Sequence, residues 1–183
     1  MTSLATTDTI DVPRRWLADR RVADVERPTL EGSYRALAPA VLGYFRSHGF
    51  DHAEDLVGEV FVSVARGLRR FRGDADDLRR WVFTIARRRK VDHLRRLRVR
   101  RGDVCGDPPD QPAPNTSGEL GLDVDLLAAL HDLTPLQRDV VVLRFVADLP
   151  LEDVARIVRR TTGAVKSLQV RGLAQLANRL NAG

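Results

Sequence analysis

The sequence predicts an all-α protein: two small helical domains joined by a flexible Pro/Asp-rich linker, with a helix-turn-helix in the C-terminal one. Three observations lead there. Apolar residues recur at helical spacing on both sides of a central segment. No stretch of useful length alternates with the period of a strand. The central segment itself, Gly102 to Gly121, is dense in Pro, Gly and Asp, carries no Lys or Arg and has almost no apolar residue. The expected division is therefore 1–27 as a flexible N-terminal extension, 28–101 as the first domain, 102–121 as the linker and 122–183 as the second domain. With 183 residues there is material for two small domains, and 43% hydrophobic with 30% charged residues describes a globular chain rather than a disordered one.

The extension is polar, with a weak helical signal around Trp16 to Val25. The first helix is read from Tyr34, Leu37, Val41, Leu42 and Phe45, ending near Gly49. Asp51 is placed to cap a second helix whose buried stripe is Leu56, Val60, Phe61, Val64 and Leu68. The turn FRGDADD separates it from a third, long helix from about Leu78 through Leu97, anchored by Trp81, Val82, Ile85 and Ala86. Beyond the linker, Thr134 before Pro135 is a helix cap followed by a first-turn proline. The Leu149-Pro150 step ends that helix. Leu151, Val154, Ala155 and Val158 then share one face of a short helix, and Val165, Leu168, Gly172 and Leu176 share one face of the next. A tight polar turn joins the two, with Ala155 small enough to sit at a steep crossing.

Charge narrows the function. The formal net charge is +5, and Lys90 and Lys166 are the only lysines. The run RRRKVDHLRRLRVRR, Arg87 to Arg101, holds nine basic residues against one acid, Asp92, which is spaced to pair with Arg88 or Arg96. Such density repels itself unless a polyanion neutralises it, so nucleic acid is the expected partner. In the last helix, Arg160, Gly163, Ser167, Val170 and Arg171 lie opposite Val165, with Lys166 on the flank. A recognition helix presents a surface of this kind to a major groove. Thr161 and Thr162 are placed to cap the helix start, where free N–H groups favour a phosphate. Many such turns carry glycine where this chain has Arg159.

Other chemistries find little support. One cysteine, Cys105, excludes an internal disulfide and any Cys-based zinc cluster. Of four histidines only His48 and His52 have ligand spacing, with Gly49 between them. The residues offer no Walker-type glycine loop and no acid cluster or nucleophile set, so neither catalysis nor a cofactor or metal is expected. No run approaches a membrane span and the first residues lack a signal-peptide core, so the expected location is cytoplasmic, without membrane insertion.

Two segments together resemble one family. WVFTIARRRKVDHLRR, preceded by AEDLVGEVFVSVARGLRRF, resembles the N-terminal conserved domain of bacterial RNA polymerase sigma factors of the extracytoplasmic-function group. LTPLQRDVVVLRFVADLPLEDVARIVRRTTGAVKSLQVRGL is similar to the second conserved domain of the same family. Order, spacing and linker agree over roughly residues 30 to 180. The resemblance implies a chain that binds core RNA polymerase and directs initiation at promoters, with an anti-sigma factor as a further partner. Carried over by position, it implies that Asp55, Leu56, Val57, Glu59 and Phe61 belong to the helix that docks on the clamp of the largest polymerase subunit. Arg87, Lys90, Asp92, His93, Arg95 and Arg96 fall in the segment that meets the −10 element. The loop Gly73, Asp74, Ala75, Asp76 and Asp77 corresponds to the one that receives a flipped −10 base. Arg160, Thr162, Lys166, Ser167, Val170 and Arg171 fall on the −35 reading helix, and the linker matches the segment that threads toward the polymerase cleft. Two positions depart from the family pattern: Gly58 stands where glutamine is usual and Arg88 where asparagine is usual. The alternative from the residues alone is a stand-alone helix-turn-helix regulator with an N-terminal helical bundle.

Overall fold

The computed structural model describes residues 28–101 and 124–181; the expectations for the N-terminal extension and for the linker with Cys105 lie outside the described residues. Seven helices and no strand form among the described residues. Helices α1 (Leu30–Arg46), α2 (Ala53–Leu68) and α3 (Ala75–Arg101) make an N-terminal bundle. Helices α4 (Val124–His131), α5 (Pro135–Phe145), α6 (Leu151–Val158) and α7 (Thr162–Leu180) make a C-terminal one.

Helices α1, α3, α5 and α7 begin where a side chain accepts from a free backbone amide. Thr29 accepts from the Gly32 amide at 3.0 Å to open α1. Before α3, Asp74 accepts from the Asp77 amide at 2.9 Å, and Asp77 accepts from the Asp74 amide at 3.2 Å, a reciprocal cap. Thr134 and Gln137 form a capping box at α5, with Pro135 at the first turn. The predicted Asp51 cap is corrected: α2 starts one residue later, His52 occupies the cap position with no side-chain bond, and Asp51 is exposed. The third helix is also longer at both ends than its apolar stripe, because the Asp74 cap starts it early and the arginine-rich end needs no buried face to continue.

The predicted stripes are buried. Val41, Phe45, Val60, Val64, Trp81, Val82 and Ala86 are at most 2% exposed. Trp81 stacks on Phe71 with centroids 5.3 Å apart and passes over Gly67, where any β-carbon would lie 2.7 Å from the indole. Tyr34 is the exception: it lies on the solvent side of α1, half exposed, with its ring edge-on to Phe61. One buried apolar cluster continues from the N-terminal bundle into the C-terminal one. The two bundles touch, therefore, through more than the chain that links them.

Candidate nucleic-acid interface

The C-terminal surface is built by the α6–α7 turn. Helix α6 ends at Arg159, whose backbone is left-handed with φ 57° and ψ 50°. The Arg160 amide closes the turn by donating to the Ala155 carbonyl at 3.0 Å. Arg159 thus adopts the conformation that glycine adopts without strain, which accounts for the usual residue there. Thr161 then caps α7, accepting from the Ala164 amide at 3.2 Å. Val165 is fully buried and Leu176 nearly so, while Gly172 lets α7 approach α5: a β-carbon there would meet Val141 at 3.0 Å. The opposite face is free. Arg160, Thr162, Gly163, Lys166, Ser167, Val170 and Arg171 are all exposed, and α7 contains no acidic residue. Ser167 donates to the Gly163 carbonyl and Arg171 to the Ser167 carbonyl, so both side chains fold back on their own helix. Val170 is 59% exposed, an apolar group amid donors, suited to a thymine methyl.

The N-terminal candidates are divided among three settings. On α2, Asp55 and Glu59 face solvent wholly or in part, whereas Leu56, Val57 and Phe61 point into the bundle. Phe61 also reaches an open apolar groove with Leu30, Tyr34, Val62 and Ala65. Gly58 forms part of its floor, and a β-carbon at that glycine would touch nothing within 4 Å. The expected loop Gly73–Asp77 is corrected: only Gly73 and Asp74 precede α3, and Ala75, Asp76 and Asp77 form its first turn because the Asp74 cap starts the helix there; the segment is partly exposed, with Asp74 and Asp77 engaged in the cap and Asp77 also paired with Arg80.

On α3 the basic candidates separate. Arg95 and Arg96 are exposed, and Arg96 lies 4.0 Å from Glu59. Asp92 pairs with Arg88 at 3.8 Å, the structural role its spacing predicts. His93 packs edge-on against Phe50. Lys90, by contrast, is only 5% exposed and donates to Asp139 of α5 at 2.5 Å, and Arg87 donates to the same carboxylate at 3.4 Å. The sequence patterns single out neither Asp139 nor Tyr44, and they offer His48 only as half of a ligand pair. Tyr44 donates its hydroxyl to Asp139 at 2.9 Å, and His48 Nε2 lies 3.0 Å from it. The available signal was an acid inside the apolar run of RDVVVLRF. His48, read as half of a ligand pair, is buried in this cluster while His52 is exposed.

Electrostatics follow from the burial. Desolvation alone would raise the Asp139 carboxyl, but Lys90, His48 and Arg87 together hold it well below the usual carboxylate range. Burial, then the Lys90 charge, push His48 down to about 4 against the opposing pull of Asp139, so the ring is neutral at pH 7. Its Nδ1 lies 2.7 Å from the Tyr44 carbonyl and its Nε2 3.0 Å from the Asp139 carboxylate, so each ring nitrogen faces an acceptor. Burial also lowers Lys90 and raises Tyr44.

A helical bundle with a long basic helix is followed by a second bundle with a helix-turn-helix and an acid-free outer face, a two-module architecture that presents two basic faces. Comparison makes the class specific. Residues 33–100 match Sigma-70 region 2 and residues 129–178 match Sigma-70, region 4. The chain is 34% identical to the ECF RNA polymerase sigma factor BldN of Streptomyces coelicolor over 75% of this chain and 54% of BldN. It is 30% identical to the ECF RNA polymerase sigma factor SigX of Bacillus subtilis over 67% of this chain and 68% of SigX. Its fold resembles that of the sigma factor RpoE from Bartonella quintana, solved with the anti-sigma factor NepR. The TM-score is 0.65 and the identity 26%, over 82% of this chain and 96% of RpoE. The chain belongs to the extracytoplasmic-function group of the sigma-70 family. It spans about half the length of BldN. Among the described residues no helix is long and apolar enough to cross a membrane.

Proposed function

We propose that this chain is a promoter-specificity subunit that binds core RNA polymerase and directs transcription initiation. The observation that carries the reading is the presence of both conserved regions in one chain, each with a basic face suited to a different form of DNA. Helix α7 reads the −35 duplex in the major groove through Arg160, Thr162, Lys166, Ser167, Val170 and Arg171. The turn and first helical turn at Gly73–Asp77 and the basic residues of α3 capture the unpaired −10 strand, and holding an unstacked base there stabilises melting. The exposed side of α2, with Asp55, Glu59 and the groove beside Gly58, meets the clamp of the largest polymerase subunit; Leu56, Val57 and Phe61 hold that side in shape from beneath. The work is done in the cytoplasm, and the chemistry of RNA synthesis belongs to the polymerase. Because RpoE was solved with an anti-sigma factor, we extend to this chain a partner of the same kind.

The test is transcription in vitro with active core polymerase and a promoter library. A discrete set of products that depends on this chain is expected. Lys166→Ala and Arg171→Ala should each lower −35-dependent initiation by roughly tenfold while core binding holds. Tight, specific binding of a palindromic site by the isolated protein would instead favour a stand-alone regulator.

A further inference from the structure

Gly58 is not explained by the packing of the chain itself. Glycine weakens a helix interior, and its place there is accounted for where a neighbour comes too close for a β-carbon. Six glycines lie in helices among the described residues. At Gly32, Gly43, Gly67 and Gly172 a β-carbon would meet another atom of the chain at 3.1 Å or less. At Gly58 and Gly163 it would meet nothing within 4 Å. Gly163 lies on the face of α7 assigned to DNA, and Gly58 floors the open groove on α2. Three exposed apolar side chains gather at that groove: Leu30, Tyr34 and Val62. The outer face of α2 is also spaced for a helix laid beside it. Asp55, Gly58, Val62, Ala65 and Arg69 follow at alternate steps of three and four, the seam of a knobs-into-holes contact. Four of the five are exposed and Ala65 partly so. Asp55 opens the seam and Arg69 closes it, and neither side chain has an ionic partner among the described residues.

We propose that Gly58 is a hole kept open for a partner: a helix of the polymerase clamp lies along the seam from Asp55 to Arg69 and seats one large apolar side chain over Gly58. The inference rests on the reading that α2 meets the clamp, and it assigns the chemistry of that contact. The walls of the recess are Tyr34, Phe61 and Val62, so the incoming group is a leucine, isoleucine, methionine or phenylalanine rather than a polar one. Glu31, the one acid at the groove, is already paired with Arg35 at 2.7 Å. Charge complementarity fixes the direction of the partner helix: a cation faces Asp55 and an anion faces Arg69. Docking here works through a recess in α2, at the position where a glutamine side chain is usual in the family. Restoring that glutamine fills the recess, so it weakens docking instead of improving it.

The experiment measures binding of the full chain to immobilised core polymerase by interferometry, beside urea unfolding of each variant. Gly58→Gln should lower core affinity by about tenfold or more while the fold is kept, because a β-carbon there touches nothing. Gly58→Ala should move the two readings in opposite directions, raising the urea midpoint and lowering core affinity, which a merely structural glycine would not do. Val62→Ser, on an exposed part of the seam, should also weaken binding without unfolding the bundle. Should Gly58→Gln lose helicity, Gly58→Ala and Val62→Ser decide. Unchanged or tighter binding by Gly58→Gln, with Asp55→Lys weakened, rejects the hole and leaves clamp docking on α2 standing. Unchanged binding in both rejects docking on α2 and the proposal with it, and a parent that does not bind core polymerase rejects the promoter-specificity reading as a whole. Sedimentation of the chain alone as a dimer that Gly58→Gln dissolves would assign the seam to a second copy of this chain and overturn the proposal.

Discussion

Arg159 gives the sharpest test of the helix-turn-helix geometry. Its backbone sits at φ 57° and ψ 50°, where the β-carbon crowds the following carbonyl at a cost of about 1–2 kcal/mol. Replacing it by glycine removes that strain but returns about 0.5–1 kcal/mol of freedom to the unfolded chain. The net expectation for Arg159→Gly is a gain of about 0.5–1 kcal/mol, equivalent to about 2–8 °C in a domain this small. Arg159→Ala separates strain from charge. Alanine keeps the β-carbon and loses an exposed guanidinium with no partner among the described residues, so its stability should match the parent within about 0.5 kcal/mol. Urea unfolding followed by helical circular dichroism reads both variants. Equal gains from glycine and alanine would mean that charge repulsion with Arg160, not backbone strain, limits the turn. No gain from glycine would mean the turn is not left-handed at that residue.

Three further predictions follow from named contacts. Gly67→Ala should destabilise the N-terminal bundle by about 1–3 kcal/mol, because its methyl would meet the Trp81 ring at 2.7 Å; an unchanged urea midpoint would contradict that packing. Gly58→Ala meets nothing within 4 Å on an exposed helical face, so it should stabilise by about 1 kcal/mol; destabilisation in the same assay would count against the open groove. Acidification should weaken the contact between the bundles. His48 is held near 4 when buried against an ordinary value of 6.5, so the folded form binds fewer protons, and stability falls as pH drops from 6.5 toward 4. The loss reaches about 2 kcal/mol at pH 5. Of the other groups facing His48, Asp139 is held well below that window and Tyr44 is raised further above it. The check is the urea midpoint at pH 7 and pH 5, with His48→Gln expected to flatten the difference; an equal slope in that variant would reassign the effect.

Helices and their buried faces were legible because helical periodicity is a local signal. Trp81, Val82, Ile85 and Ala86 lie within five residues of one another and were read as one anchor, and all are buried. Thr134 before Pro135 and the outward face of α7 were legible for the same reason, whereas Gln137 as the other half of the capping box was not read. Asp51 failed as a cap because one residue of offset depends on how α1 returns into α2, which periodicity does not encode. The Asp139 cluster was invisible for a deeper reason. Its partners lie 49, 52 and 95 residues away along the chain for Lys90, Arg87 and Tyr44. Each residue alone has an ordinary local explanation: Lys90 belongs to a basic run and Asp139 to a capped helix. Only the packing of one bundle on the other brings them together.

Footprinting on a cognate promoter tests the two-grip reading most directly, with permanganate added to detect unpaired thymines. Reconstituted with core polymerase, this chain should protect the −35 duplex and expose reactive thymines at −10, and neither component alone should do either. Protection and melting that persist without polymerase, or that occur with polymerase lacking this chain, would contradict it.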